Sequence, residues 1–515
     1  MSKKHHDKDR KSKQESTGTE KVEKAKVPDY IKAIATSMEK EGKTLDMRPV
    51  TLSFGRGGIN WALSSGSLSL DLILGGGYGP GRSCSTFGPE QSGKTTGAYE
   101  AIGDALLNGI PVILYDAENA TDPDYLDRII FKRTGHPMEY FVGVIEDDKI
   151  IKPGLFYYIP CNSGENVFRH AGRIIKNAVP KVVKSKKHGW CWANKNKNGT
   201  YSFTKREIGG RTSMLVVIDS LKALLPEAKE KDDKSSPLAQ QARMLSDSFP
   251  LVINPMGPRR VTVLYTNQVR TKIGQMFGNP EYEPCGDAAK FYSSQRVRFG
   301  SISCSTVDPV FTTSGVTDEG KGQVDEEPSW DNDGTDRYRY AKLKCIKNKL
   351  FSPFQESYVR WRFEHHSNVG DGLDPSFDAY MFLYKTGQCS KKTGKGIELS
   401  ILGTDQDKHI SPNFIDRMGD LSTKKKEKKK KHKDKKEKKL ISFDLRVSWQ
   451  KFKELVENPE RKNCIYDHCR KQMDSGYAWA LYFAKKKAVM TNRKENDQKN
   501  EDKKKEDDKE GGYED

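Results

Sequence analysis

The sequence predicts an α/β fold with a mainly parallel central sheet flanked by helices. From about Thr51 to Phe363, short apolar runs alternate with helical patterns, which is how a parallel sheet wrapped by helices reads. A glycine-rich turn, GPEQSGKTT, lies between one such run and a helix, and a second run, MLVVIDS, is five apolar residues that end in an acid. Acids and glycines at the carboxyl ends of strands stand where such sheets bind ligands.

The elements follow in order. Residues 1–27 are polar and basic and are expected to form a disordered tail. In residues 28–50, PDYIKAIATSMEKEG sets Tyr30, Ile34 and Met38 four apart, one face of a short helix that stops at Gly42. The core, 51–365, contains the strand CSTF and a helix from Lys94, then VILYDAE and a helix, LFYYIP and the helix GENVFRHAGRIIKNAV, then MLVVIDS and VTVLYTNQ. Residues 180–211 interrupt it: Trp190, Trp192, Tyr201 and Phe203 alternate with polar residues around Asn198-Gly199, a hairpin signature. This basic aromatic insertion reads equally as a surface hairpin packed on the core or as a nucleic-acid contact. A small region follows at 366–420, then a lysine-rich linker at 421–440. A short helical module with Trp449, Phe452 and Leu455 at helical spacing covers 441–490, and a charged tail 491–515.

Charge bears out that division. Of 515 residues 31% are charged, and the net +18 is the balance of four segments: 1–26, 181–211 and 424–439 are basic and 491–515 is acidic. Basicity therefore belongs to attached segments and one insertion, not to the fold as a whole. The nine cysteines lack a disulfide spacing, and CIYDHC with His468 is a single pair, read as structural ahead of zinc. No window approaches the roughly 18 apolar residues of a membrane helix. A soluble, cytoplasmic protein is expected.

GPEQSGKTT spans Gly88, Pro89, Glu90, Gln91, Ser92, Gly93, Lys94, Thr95 and Thr96, and it matches the phosphate-loop pattern in the required setting. Its backbone N–H groups can close on phosphates, Lys94 can reach the terminal ones, and Thr95 can offer its hydroxyl to Mg2+, with Asp219 holding the ion through water. A nucleoside triphosphate and Mg2+ are the expected ligands. Glu118, in LYDAENATDPDY, stands at a strand end expected beside this loop and reads either as a water-activating base or as a helix-start acid. The stretch NQVRTKIGQMFGNPEYEPCGDAAKF is too long and polar for an idle connection. In IKNKL, Lys347 and Lys349 alternate as on a protected edge strand.

Seven motifs in one order, GSLSLDLILGGGYGPGR, GPEQSGKTT, YDAENATDPDY, VVIDSLKALLPEA, LAQQARMLS, NQVRTKIGQMFGNPEYEPCGDAAKFYSSQR and IKNKLFSPF, closely resemble the bacterial RecA recombinase family over roughly Val50 to Phe363. The resemblance implies a RecA-type phosphate-loop ATPase core with a short N-terminal helix, in a segment that meets a neighbouring subunit, and a small C-terminal region. By it, Glu118 activates water, Asp122 and Tyr125 contact the adenine, and Gln268 senses the terminal phosphate. Arg243, Arg270, Lys272 and Phe277 lie along DNA, and Lys347 and Lys349 reach the ATP site of a neighbouring subunit. It also implies the partners, single-stranded DNA and homologous duplex DNA in a helical homo-oligomer, and the activity, DNA-dependent ATP hydrolysis coupled to strand exchange in recombination and repair. Cys285 departs from the family, which has glycine there, and the loop PEAKEKDDKSSPL lacks the family's glycines. A ring-forming helicase or another DNA-dependent motor shares this core, and a non-hydrolysing scaffold is the third reading.

Overall fold

The computed structural model describes residues 62–147, 149–185, 187–207, 209–227, 237–271, 281–301, 329–330, 337–363, 371–389, 397–404, 424–426 and 440–447, with Phe452, Val456, Cys469, Arg470, Gln472 and Tyr482. The N-terminal helix, both tails, Lys272, Phe277, most of the lysine run and most of the helical module lie outside them.

The chain opens with helix α1 (Leu68–Leu74), strand β1 (Ser83–Gly88), α2 (Lys94–Leu107), β2 (Val112–Asp116) and α3 (Pro123–Thr134). A ribbon, β3 (Val144–Glu146) with β4 (Lys149–Lys152), precedes β5 (Phe156–Pro160) and α4 (Gly164–Ala178). The insertion contributes β6 (Lys181–Ser185), β7 (Gly189–Lys195) and β8 (Tyr201–Lys205), after which come β9 (Met214–Asp219), α5 (Pro237–Arg259) and β10 (Val261–Gln268). Short β11 (Arg270–Thr271) and β12 (Glu281–Tyr282), α6 (Ala288–Tyr292) and β13 (Gln295–Ser301) follow. Then come β14 (Ser329–Trp330), β15 (Arg337–Asn348), β16 (Gln355–Phe363), β17 (Gly372–Leu373), α7 (Pro375–Lys385), β18 (Ile397–Thr404), β19 (Lys424–Lys426) and β20 (Leu440–Val447).

The main sheet runs β17-β16-β15-β13-β1-β10-β9-β2-β5, with β14 beside β15. The six strands from β13 to β5 are parallel, and β15, β16 and β17 extend them antiparallel. Strands buried on both faces read as unbroken apolar runs, and β9 shows why. Its Leu215 and Val217 pack among α2 and α3, while Met214, Val216 and Ile218 pack among α4 and α5.

Two expectations change. β15 is no edge strand as far as Cys345, since β13 and β16 flank it and its Lys342 and Lys344 are answered by Glu356 of β16 at 3.2 and 3.1 Å, whereas Lys347 pairs with Arg296 of β13 past the end of the β16 pairing. Residues 440–447, grouped by sequence with the linker and helical module, form β20, paired with β18 and with β19 of the lysine run. Phe452, Val456, Cys469 and Tyr482 share one apolar cluster with α1 and α7, and Gln388 and Gln472 exchange hydrogen bonds of 2.7 and 2.9 Å there. Cys469 of CIYDHC is thus core, and its thiol is pushed far up by burial. Among the described residues no helix is long and apolar enough to cross a membrane.

Candidate nucleotide site and the loop it leads into

β1 is buried throughout and delivers Gly88 to the carboxyl end of the sheet. Two glycines of the following turn are required sterically. A Cβ on Gly88 would fall 2.0 Å from the Phe299 carbonyl oxygen, and one on Gly93, whose φ is +85°, 2.2 Å from Trp361 Nε1. The turn is laid down on β13 and β16. Trp361 Nε1 donates to the Ser92 carbonyl at 3.2 Å, Ser92 Oγ donates to the Pro89 carbonyl at 2.8 Å, and Arg339 of β15 donates to Gln91 Oε1. Glu90 and Gln91 are exposed at its tip. The result is a backbone cradle opening α2, with Lys94 at the helix start and Thr95 and Thr96 after it.

Lys94 is buried, and its ammonium donates to the Pro89 carbonyl. Burial pushes its pKa down to about 8, against the opposing pull of Asp219 and Glu118. Asp219, at the end of β9, accepts from Thr95 Oγ1 at 2.8 Å through one oxygen and from Thr266 through the other. Burial raises its pKa, and the bonds from Thr266 and Thr95 offset only part of that. A hydroxyl and a buried carboxylate joined at the foot of the cradle are the donor set a hard, oxygen-seeking cation such as Mg2+ takes, so the residues present fit that ion.

Glu118 comes into the site across β9 and β10. Asp116 shapes its loop by accepting from the Glu118 and Thr121 backbone N–H groups at 3.1 and 3.0 Å and from Tyr158 Oη at 3.0 Å. Glu118 Oε1 then accepts from Ser220 Oγ at 2.5 Å and from Gln268 Nε2 at 3.5 Å, while Lys222 donates to Gln268 Oε1. The helix-start reading of Glu118 does not hold. α3 begins at Pro123, its N-cap is Asp122 and its first-turn acid is Asp124. Asp122 is exposed and accepts from Asp124 N at 3.0 Å. Tyr125 lies beside the cradle, its hydroxyl 3.0 Å from Thr96 Oγ1 and its ring beneath the Arg128 guanidinium at 5.9 Å.

Gln268 ends β10, and two residues later β11 pairs with β12 to close the loop at its base. The returning stem is pinned by ion pairs: Glu281 to Arg298 at 2.8 Å, and buried Glu283 to Arg296. Asn267 joins the two stems, its amide donating to Glu283 at 3.4 Å. Cys285 keeps a left-handed backbone, φ +78°, followed by Gly286 at +70°. The glycine conformation persists without the glycine, and burial pushes the thiol up to about 11. Arg270 and, on α5, Arg243 are exposed; Ala242 of that helix meets Gly286.

Lys347 and Lys349 are not brought to this cradle. Lys347 pairs with Arg296, which pairs with Ser85 near the start of β1, and its ammonium donates to the carbonyls of Lys290 and Phe291 at 2.7 and 3.2 Å. Burial and the neighbouring Lys349 and Arg296 lower its pKa. Lys349 is exposed, its backbone N–H bonded to Ser294 O. Sequence reasoning missed Asp116, Ser220, Lys222, Thr266, Arg339 and Trp361, which lie outside the recognised loop and reach the site only through the sheet order.

Strand order, cradle and the Thr95–Asp219 pair define an α/β protein with a phosphate-loop core. The sequence model of the RecA N-terminal domain matches residues 52–132 and 206–308. Protein RecA of Streptococcus sanguinis (strain SK36) is 29% identical over 331 residues, 62% of this chain and 67% of that protein. Protein RecA of Streptococcus gordonii is 29% identical over 375 residues, 69% and 78% respectively. The chain is a divergent member of the RecA family. The crystal structure of the RadB recombinase aligns with 60% of this chain and 98% of its own at 17% identity and a TM-score of 0.34.

Proposed function

We propose that the protein is an ATP-dependent recombinase that forms a filament on single-stranded DNA and catalyses homologous pairing and strand exchange. The observation that carries this reading is the contact of Glu118 with Gln268 at the head of a loop whose far stem is ion-paired. A change at the γ-phosphate is felt by Gln268 and passes directly into the strand that opens the loop. Arg270 on that strand, with Lys272 and Phe277 beyond it, would hold the DNA backbone, and Arg243 would meet it from α5.

In the nucleotide site, the backbone from Gly88 to Thr96 would bind the phosphates, and Lys94 would leave the Pro89 carbonyl for the terminal ones. Asp122 and Tyr125 would meet the adenine, with the ring exchanging its present contacts for the base. Thr95 and Asp219 would hold Mg2+, which offsets phosphate charge when bound. Glu118 would orient and deprotonate the attacking water, and Lys347 and Lys349 would serve the site of the next subunit.

The test is ATP turnover with and without single-stranded DNA, with electron microscopy of the DNA complex. Stimulated turnover on open helical filaments is expected. Closed rings would favour a helicase, and binding without turnover a scaffold.

A further inference from the structure

The β6–β8 sheet lies wholly between the two stretches matched to the RecA N-terminal domain. Pairing sorts its side chains onto two faces with different fates. One face carries both tryptophans and is used up by the protein: the Arg260 guanidinium lies 4.2 Å from the Trp190 ring centre, Arg206 lies 5.5 Å from that of Trp192, and Gly210 backs onto Trp190. Arg206 is buried, and among the described residues none of its guanidinium nitrogens has a hydrogen-bond partner.

The other face holds Phe203 in a row with Ala193 and Lys181, Tyr201 beside Lys195, and Lys205 beyond. Phe203 is 56% exposed, Lys195 and Lys205 are exposed, and Tyr201 and Lys181 are half-buried, while Cys191 and Ala193 at the centre of this face are buried. Ala193 is too small to cover the ring beside it. Residues 181–211 carry nine Lys and Arg against one acid, so a second copy of this face, or any basic partner, is repelled. Tyr201 and Phe203 stand about 7 Å apart along the strand, room for two separate bases with lysines on either side for the phosphates.

We infer that this face is a second binding site for single-stranded nucleic acid, apart from the loop that follows Gln268. It stacks bases on Phe203 and Tyr201 and holds phosphates with Lys195 and Lys205. Duplex hides its base faces and fits the site poorly. The inference is independent of the nucleotide site, and its test is run without ATP.

The full chain is cross-linked to oligo(dT) or oligo(U) carrying 5-iodouracil, and the adducts are mapped by mass spectrometry. Adducts at Tyr201 or Phe203 with either strand, suppressed by excess single strand and not by duplex, are expected. In binding titrations, Tyr201→Ala with Phe203→Ala should weaken nucleotide-free affinity about five-fold or more. Lys195→Gln with Lys205→Gln should flatten the slope of log affinity against log salt by about 1.4. DNA-stimulated ATP turnover should persist in both variants, with unchanged melting temperature. Adducts confined to other segments, or a flattened slope with no effect of removing the rings, would overturn the platform while leaving the recombinase reading intact.

Discussion

Lys347 and Lys349 give the most demanding prediction, because the sheet register limits which ATP they can serve. Lys347 stands level with Ser85, and Gly88 lies three residues further along β1, about 10 Å away along the strand. The Lys347 side chain is already turned toward the Lys290 and Phe291 carbonyls, and Lys349 is anchored further from the cradle still. These lysines therefore serve a neighbour or nothing. The double variant Lys347→Ala, Lys349→Ala should bind ATP as a monomer and lose DNA-stimulated turnover. Mixing it with Glu118→Gln should restore activity, since an interface works when one subunit brings Glu118 and the next brings the lysines. In an equimolar random filament about a quarter of head-to-tail interfaces meet that condition, so turnover should rise to about a quarter of the parental rate. The assay is phosphate release across mixing ratios, with co-sedimentation to show that both variants enter the same filaments. No recovery in filaments shown to contain both would refute the shared site.

Lys94→Ala should abolish ATP binding, whereas Glu118→Gln should retain it and slow hydrolysis by about 10²–10⁴; equal turnover of parent and Glu118→Gln on DNA would remove Glu118 from its role. Trp361→Phe leaves the buried Ser92 carbonyl without its donor, a loss of about 1–3 kcal/mol, and should lower both melting temperature and affinity for a fluorescent ATP analogue. An unchanged affinity would mean that the loop keeps its shape unaided. Asp374 caps α7 and is buried against Arg360 and Arg362; burial raises its pKa, but the two cations hold it down to about 2. Its contribution of about 2 kcal/mol is present above pH 4 and lost as pH falls through 2, so urea melts of Asp374→Asn should show about 3–5 kcal/mol of destabilisation at pH 6 and a flatter acid limb.

What the sequence made legible is what depends on neighbours along the chain. GPEQSGKTT fixes its own geometry within nine residues, and MLVVIDS announces both a buried strand and the acid that ends it. The second partner of Asp219 could not be read the same way, because Thr266 meets it only once β10 and β9 lie side by side. Alternating lysines misled for a related reason. Lys347 and Lys349 look like an edge strand's guard, yet the strand that carries Lys347 is flanked on both sides up to Cys345, where Lys342 and Lys344 face a glutamate on the next strand, a pairing that no local pattern encodes. The helical spacing of 441–490 likewise carried no sign that its first residues complete a sheet with β18, whose partners lie more than thirty residues away.

The insertion leaves the end of α4 and returns at Met214, the edge at which the parallel strands begin, whereas the phosphate cradle stands at the edge where they end. Chain added or exchanged at the first edge leaves the geometry of the second alone. The fold thus offers a grafting port, where segments can be added or exchanged on the side of the sheet away from the phosphate cradle.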